Sequence, residues 1–373
     1  VAVSWQVYSV RHSAFDLGLV GLVLFVPALL LAPLSGLVAD RADRRAIIAV
    51  AAYAEVAVSL ALIPLFGAHD ARALALDLTL LFVAGIARAF AFPAEQSLLP
   101  AVVAPESYVR SSASVSAISA FVRVGGPALG GVLIALGAPV AYGAAAAIGV
   151  LGALAVVTVP LLEQRVRDDV PRLRDALAGL RYILARPVLG GAISLDLFAV
   201  MFGSATALLP VYATEIFHVG ATGFGVMRAS VAAGAGLCAL TIVRRPIRRY
   251  AGRRLLIAVA GFGAATVAFG FAATLWVAIP ALALVGAADM VSVTIRDALV
   301  ALGTPDAMRG RVTAVEGVFI VASNELGQFE SGTLAALAGA VPAVVAGGLA
   351  TLAIVGLWAW RNPALRRADA VLA

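Results

Sequence analysis

Glu55, Arg88, Arg123, Asp196, Arg228, Asp289, Glu325 and Glu330 fall within long apolar runs, and Arg296 with Asp297 lies toward the end of another. A charged group at such a depth costs about 2.5–3.5 kcal/mol on insertion scales, so each one is a candidate for function. The chemistry open to them is charge pairing and proton transfer. A carboxylate binds and releases a proton according to its surroundings, whereas arginine keeps its charge and only tunes its neighbours. Asp289 and Arg296 are seven residues apart, which puts them on one helix face with about 10 Å of axial separation. A proton handed along that face is one expectation. Acids and arginines occur in comparable numbers, so mutual structural pairing is the competing one.

Other chemistries lack their residues. His12, His69 and His218 all lie near loops, and Cys238 is the single cysteine, so paired metal ligands and a disulfide framework are not expected. A phosphate-cradling Gly-x-x-x-x-Gly-Lys loop does not occur in a chain without lysine, so ATP hydrolysis is not expected. No cofactor is called for.

The elements that must position these groups follow from composition. The 373 residues are 62% hydrophobic and 13% charged, with a mean hydropathy of +1.02, which describes a chain whose solvent is lipid. Apolar spans are predicted at 17–38, 46–66, 76–98, 111–135, 139–160, 188–212, 222–243, 255–274, 276–297, 312–336 and 341–360. Each is long enough to cross a hydrocarbon core of about 30 Å. Val1 to Val10 reads as the last part of a further span, so the first helix is expected to be truncated. Arginine alternates between loops: Arg41, Arg44 and Arg45, then Arg110, the block Arg165 to Arg186, then Arg244 to Arg254, Arg309 and Arg311, and Arg361 to Arg367 share one side. The other side holds Arg11 and Arg72. That bias predicts both termini in the cytoplasm of a multi-pass inner-membrane protein, and it accounts for the basic pI without nucleic acid.

The longest hydrophilic stretch divides the chain into 1–160, a linker 161–187, and 188–373. Leu173, Leu177, Leu180 and Leu184 recur at helical spacing between arginines, which predicts an amphipathic helix on the inner membrane face. Gly85 to Gly131 runs parallel to Gly286 to Gly332, so that Arg88 aligns with Asp289. Two parallel repeats place a binding site between them at the bilayer midplane, with these opposite charges at equivalent depth.

Five stretches carry a resemblance. Gly36-Leu37-Val38-Ala39-Asp40-Arg41-Ala42-Asp43-Arg44-Arg45 resembles the major facilitator signature between helices 2 and 3, with Asp43 where that pattern has a second glycine. Gly125-Gly126-Pro127-Ala128-Leu129-Gly130-Gly131 resembles the Gly-Pro-x-x-Gly-Gly signature of antiporters, although Ala113 and Val122 replace its upstream glycines. Gly18 to Gly21 with Pro27 to Leu30, Arg88 to Pro100, and Pro305 to Val312 with Ser323 to Gly327 are similar to the enterobactin-exporter-like branch of the superfamily.

The resemblance implies an all-α twelve-helix fold of two pseudo-symmetric six-helix halves that alternates access to a central site. It implies export of a small molecule such as a drug or siderophore, coupled to protons by antiport, from a monomer in the lipid bilayer. Gly36, Asp40, Arg41, Arg44 and Arg45 would form a gating loop that favours the outward-facing state. Gly126, Pro127, Gly130 and Gly131 would let helix 5 bend and approach a neighbour. Because spans 1, 4, 7 and 10 line the cavity in that fold, Arg88, Asp196 and Asp289 rank above Arg296, Glu325 and Glu330 as coupling or cavity groups. Glu55, on a peripheral span, is expected to pair locally. An importer of the same fold and a non-transporting membrane sensor or scaffold are the rivals; an intramembrane enzyme lacks its residues.

Overall fold

The computed structural model describes residues 2–67, 71–103, 107–160, 173–245 and 249–368. The side chains at some helical positions, Asp40 and Arg123 among them, lie outside the described residues. Helix is the regular structure throughout, as a lipid-embedded chain requires, because only intrasegment hydrogen bonds satisfy its backbone there. The elements are α1 (Ala2–Arg11), α2 (Ala14–Arg41), α3 (Arg44–Leu62), α4 (Ala71–Val102), α5 (Tyr108–Ala135), α6 (Ala138–Thr158) and α7 (Leu173–Leu184). They continue with α8 (Pro187–Phe202), the single turn α9 (Leu209–Val211), α10 (Gly220–Arg244), α11 (Ala251–Gly270), α12 (Leu275–Gly303), α13 (Asp306–Ala338), α14 (Ala340–Arg361) and α15 (Pro363–Arg366).

Among the described residues nine helical segments are long and apolar enough to cross a membrane. Sequence reading counts eleven spans and a remnant. The difference lies in α13, whose 33 residues suffice in length but carry the polar side chains of Glu316, Asn324, Glu325, Gln328 and Glu330, and in α5, where the described residues supply the apolar run Gly125–Ala135. The predicted span 188–212 is also not one helix. α8 ends at Phe202 and is followed by a 3-10 turn (Ala205–Leu208), α9 and a π turn (Tyr212–Ile216). Gly203 sits at the break, where a Cβ would meet Ala199 O at 2.7 Å and Thr351 Oγ1 at 2.9 Å, and Pro210 removes a backbone donor just beyond.

Tight turns reverse the chain at Gly137 (φ 125°) between α5 and α6 and at Gly339 (φ 93°) between α13 and α14. Only glycine takes that backbone without strain. α2 packs on α4, and α3 lies between α4 and α6; α12 packs on α10 and α11, and α11 on α14. Helices before and after the linker meet along two seams, α2 with α13 and α5 with α10.

Of the linker, α7 forms as an amphipathic helix, but its buried face differs from the predicted leucine stripe. Ile183 is buried against Ile193, Val300 and Val312, Gly179 touches the α13 backbone at Arg311, and Tyr182 donates to Gly303 O at 3.0 Å. Leu184 is exposed. The side chains of Leu173 and Leu177 lie outside the described residues.

Candidate functional site: two seams and the charges between them

The seams are closest toward one end of the bundle, the end that carries the turn between α1 and α2. A Cβ on Gly18 would lie 3.1 Å from Phe329 O, and one on Gly21 would lie 2.6 Å from Glu325 O, both on α13. A Cβ on Gly332 would lie 2.6 Å from Ala14 O. On the second seam a Cβ on Gly131 would lie 2.6 Å from Gly225 O, and one on Gly225 would collide with Gly131 in return. Glycine here permits backbone-to-backbone packing that any side chain would hold apart. Tyr8 of α1 donates its hydroxyl to Glu215 at the same end, and Trp5 stacks on Phe224 with ring centroids 5.3 Å apart. One buried cluster there draws Trp5, Tyr8, Leu17 and Ile134 together with Leu208, Tyr212, Phe224 and Phe269. Gly126, by contrast, has nothing within 4 Å of its Cβ direction, and Pro127 lies inside a continuous α5. Of the helix-bending motif, Gly131 thus makes a close approach to a neighbouring backbone.

Farther from that end the helices leave room for charge. Gly85, Arg88, Phe92 and Glu95 share one face of α4, since their spacing keeps them within a narrow arc. Gly85 packs on Leu24 and Pro27 of α2, and Phe92 reaches Gly317 of α13. Arg88 therefore faces the space between these helices, and its side chain is 64% exposed. Its ion pair is with Glu55 at 3.1 Å. Glu55 thus pairs with the adjacent helix. Glu95 and Glu325 both lie within electrostatic range of Arg88, and Glu325 accepts from Gln328 at 3.3 Å. Glu330 accepts from Ser331 at 3.3 Å. Asp289 is partly buried on α12.

Asp196 and Arg296, read from the sequence as separate candidates, belong to one cluster. Arg296 of α12 donates to Asp196 of α8, to Glu316 of α13 at 3.1 Å and to Asp297 at 3.2 Å. The side chains of Arg296, Asp196 and Glu316 are only 4%, 8% and 10% exposed, whereas Asp297 is 56% exposed. Two sealed carboxylates share one guanidinium. Held this way, Arg296 is engaged with three acids, so it is not simply the next station along the α12 face from Asp289. Sequence reasoning missed Glu316, and also Glu95, Asp77 and Gln6, whose amide donates to Asp77 at 3.2 Å and ties α1 to α4. Each of these carboxyls lies within a predicted span, so the depth criterion applied to every span residue would have found them.

At the predicted gating loop, Asp43 is the N-cap of α3. It accepts from Arg45 N at 2.9 Å and pairs with the Arg45 guanidinium at 3.0 Å. Hydrogen bonding to that guanidinium holds the Asp43 carboxyl below the usual carboxylate range. The residue that departs from the family loop is therefore a helix cap. Arg44 donates to Ser97 O on α4 at 3.2 Å and Arg45 to Val159 O beyond α6 at 2.9 Å. Arg41 is exposed. The side chains of Gly36 and Asp40 lie outside the described residues. Among the described residues no group of three or more His, Cys, Asp or Glu is arranged to hold a metal.

The family profile described as transmembrane secretion effector, within the major facilitator superfamily, matches residues 1–371. The chain belongs to that family. It is 28% identical over 375 residues to the enterobactin exporter EntS of Citrobacter koseri, covering 96% of this chain and 85% of that one. Its fold is similar to the inward-open xylose transporter XylE of E. coli, with a TM-score of 0.70 at 13% identity over 97% of this chain and 92% of that one. A bacterial homolog of the human lysosomal transporter Spinster, inward-facing and occupied, gives 0.69 at 15% identity over 98% of this chain and 92% of that one. The chain is a multi-pass membrane protein of a transporter family.

Proposed function

We propose that this transporter is a secondary active exporter of a small molecule in the inner membrane, working by alternating access between halves 1–160 and 188–373. Both termini and the linker 161–187 are assigned to the cytoplasm on the arginine bias of the loops. The closed end is then periplasmic, and the state described is inward-facing. The observation that carries this reading is the asymmetry of the seams: backbone contact at Gly18, Gly21, Gly131 and Gly225, and an exposed, charged α4 face farther along. In the opposite state the glycine seams part and the other end closes, with Asp40, Arg41, Arg44 and Arg45 placed where a loop network would hold it.

Proton-coupled antiport is the driving mechanism we assign. Asp196 and Glu316 share Arg296, so one positive charge faces two sealed carboxyls, and a proton is the natural second counter-ion. Rocking α8 against α12 and α13 would change that balance once per cycle. Asp289, on the same helix as Arg296, and Glu325 and Glu330 on α13 are the further candidates. Reconstitution into proteoliposomes tests the whole proposal. Counterflow of a fluorescent efflux dye, accelerated by a proton gradient directed against dye movement, is the expected result. Absence of counterflow for a broad panel of dyes and siderophores would leave a sensor or scaffold, and proton-driven uptake in the cytoplasmic direction would leave an importer.

A further inference from the structure

We infer that Arg228 of α10 is a recognition residue for an organic anion, which gives the proposed exporter a substrate class. Arg228 lies eight residues past Gly220, about 12 Å along the helix at about 1.5 Å per residue, and thus well within the hydrocarbon depth. Leu237, 66% exposed, and Leu240 mark the outward face of α10. Arg228 is nine residues before Leu237, half a turn away by helical periodicity, and so it faces the bundle interior. Its neighbours on the helix confirm the direction: Gly225 touches α5, and Val231 and Gly234 touch α12. Arg228 therefore sits one turn below the Gly131–Gly225 contact, between α5 and α12.

The other described membrane arginines have counter-charges: Arg88 has Glu55, and Arg296 has three acids. Arg228 has an ion pair with none of the described residues, and its Nε is sealed from solvent without a hydrogen-bond partner. Its guanidinium stands 5.8 Å over the Phe224 ring, which is itself stacked on Trp5 of α1. The ring positions the cation but supplies no counter-charge. The residue as a whole is partly buried. Five donors in a planar fork, with no acceptor among the described residues, match a carboxylate or other oxyanion. The apolar surroundings, Phe224 and Met227 among them, suit an anion carried on an organic body.

The inference rests on the transporter reading for its purpose but not for its test. Purified protein in phosphatidylcholine nanodiscs is titrated with 2-naphthoate and with neutral 2-naphthamide, and thermal unfolding is followed. The carboxylate is expected to raise the wild-type Tm and the amide to leave it unchanged. R228Q is expected to weaken the carboxylate effect at least about tenfold, in keeping with loss of a charge-assisted hydrogen bond, and R228K to fall between. Because R228Q removes an uncompensated charge, its ligand-free Tm should equal or exceed that of wild type. A lower ligand-free Tm in a well-expressed R228Q protein would mean that Arg228 is structurally satisfied, and would overturn the proposal. Equal responses to acid and amide, no response to the acid, or an unchanged response in R228Q would overturn it too. Stabilisation by phosphatidylglycerol nanodiscs alone would assign the cation to a lipid headgroup instead. Failed counterflow alongside Arg228-dependent binding sinks the exporter and spares the site; the converse spares the exporter.

Discussion

The closed seam between α5 and α10 makes Gly131→Ala the most informative single substitution. The new methyl would sit 2.6 Å from Gly225 O and 3.0 Å from Gly225 Cα, and neither backbone atom can rotate away. Restoring an ordinary contact of about 3.4 Å needs about 0.8 Å of helix separation. Overpacking of this kind costs about 1–3 kcal/mol, and the cost falls only on the state in which the seam is shut. The balance between the closed-seam state and its alternative should therefore shift by about 5- to 150-fold. Gly126→Ala, with nothing within 4 Å of the added atom, is the control: it carries the helix-propensity gain of about 0.5–1 kcal/mol and no clash. Pairs of spin labels at Leu136 and Thr222 across the seam, and at Ala42 and Gly310 across the other end, report the two states in a Cys238→Ser background. In Gly131→Ala the first distance distribution should lengthen and the second shorten, while Gly126→Ala should match wild type. Unchanged distributions in a folded Gly131→Ala protein with wild-type transport would refute the assignment of this contact as a gate.

Arg296→Met strands Asp196 and Glu316 without their cation, so it should lower stability by about 3–5 kcal/mol, measured by thermal unfolding, and adding Asp196→Asn with Glu316→Gln should recover most of the loss. Asp43→Ala removes the α3 cap and should cost about 0.5–2 kcal/mol near neutral pH. Because the folded Asp43 carboxyl is held below its unfolded value of about 3.9, that contribution is complete above this pH and disappears as pH falls through the lowered folded value. The wild-type and Asp43→Ala melting curves should converge there, and a gap independent of pH would refute the ionised cap. For topology, a cysteine at the exposed Thr222 should react with an impermeant thiol reagent in intact cells and one at Arg253 only in inverted vesicles; the reverse pattern would invert the orientation.

Much of the architecture was legible in the residues. An apolar run long enough to cross a bilayer can be nothing but helix there, so the positions of α2, α3, α4, α6, α10, α11, α12 and α14 followed from run length, and α7 from its periodicity. Glycine clusters marked where backbones could meet, although the sequence did not distinguish Gly131, which touches Gly225, from Gly126, which touches nothing. Depth likewise marked Asp196, Arg296 and Arg228 as charged groups needing an explanation. Their partners were another matter. Asp196 and Glu316 lie 100 and 20 residues from the arginine they share, and Glu55 lies 33 residues from Arg88, its partner on the neighbouring helix. Run length and period are local properties, carried by consecutive residues and paid to the solvent one helix at a time. Which face of each helix meets which neighbour depends on crossing geometry and side-chain fit summed over the whole bundle, and that is why only the tertiary structure decided that Arg296 is surrounded by acids and that Arg228 faces the interior with no ion-pair partner among the described residues.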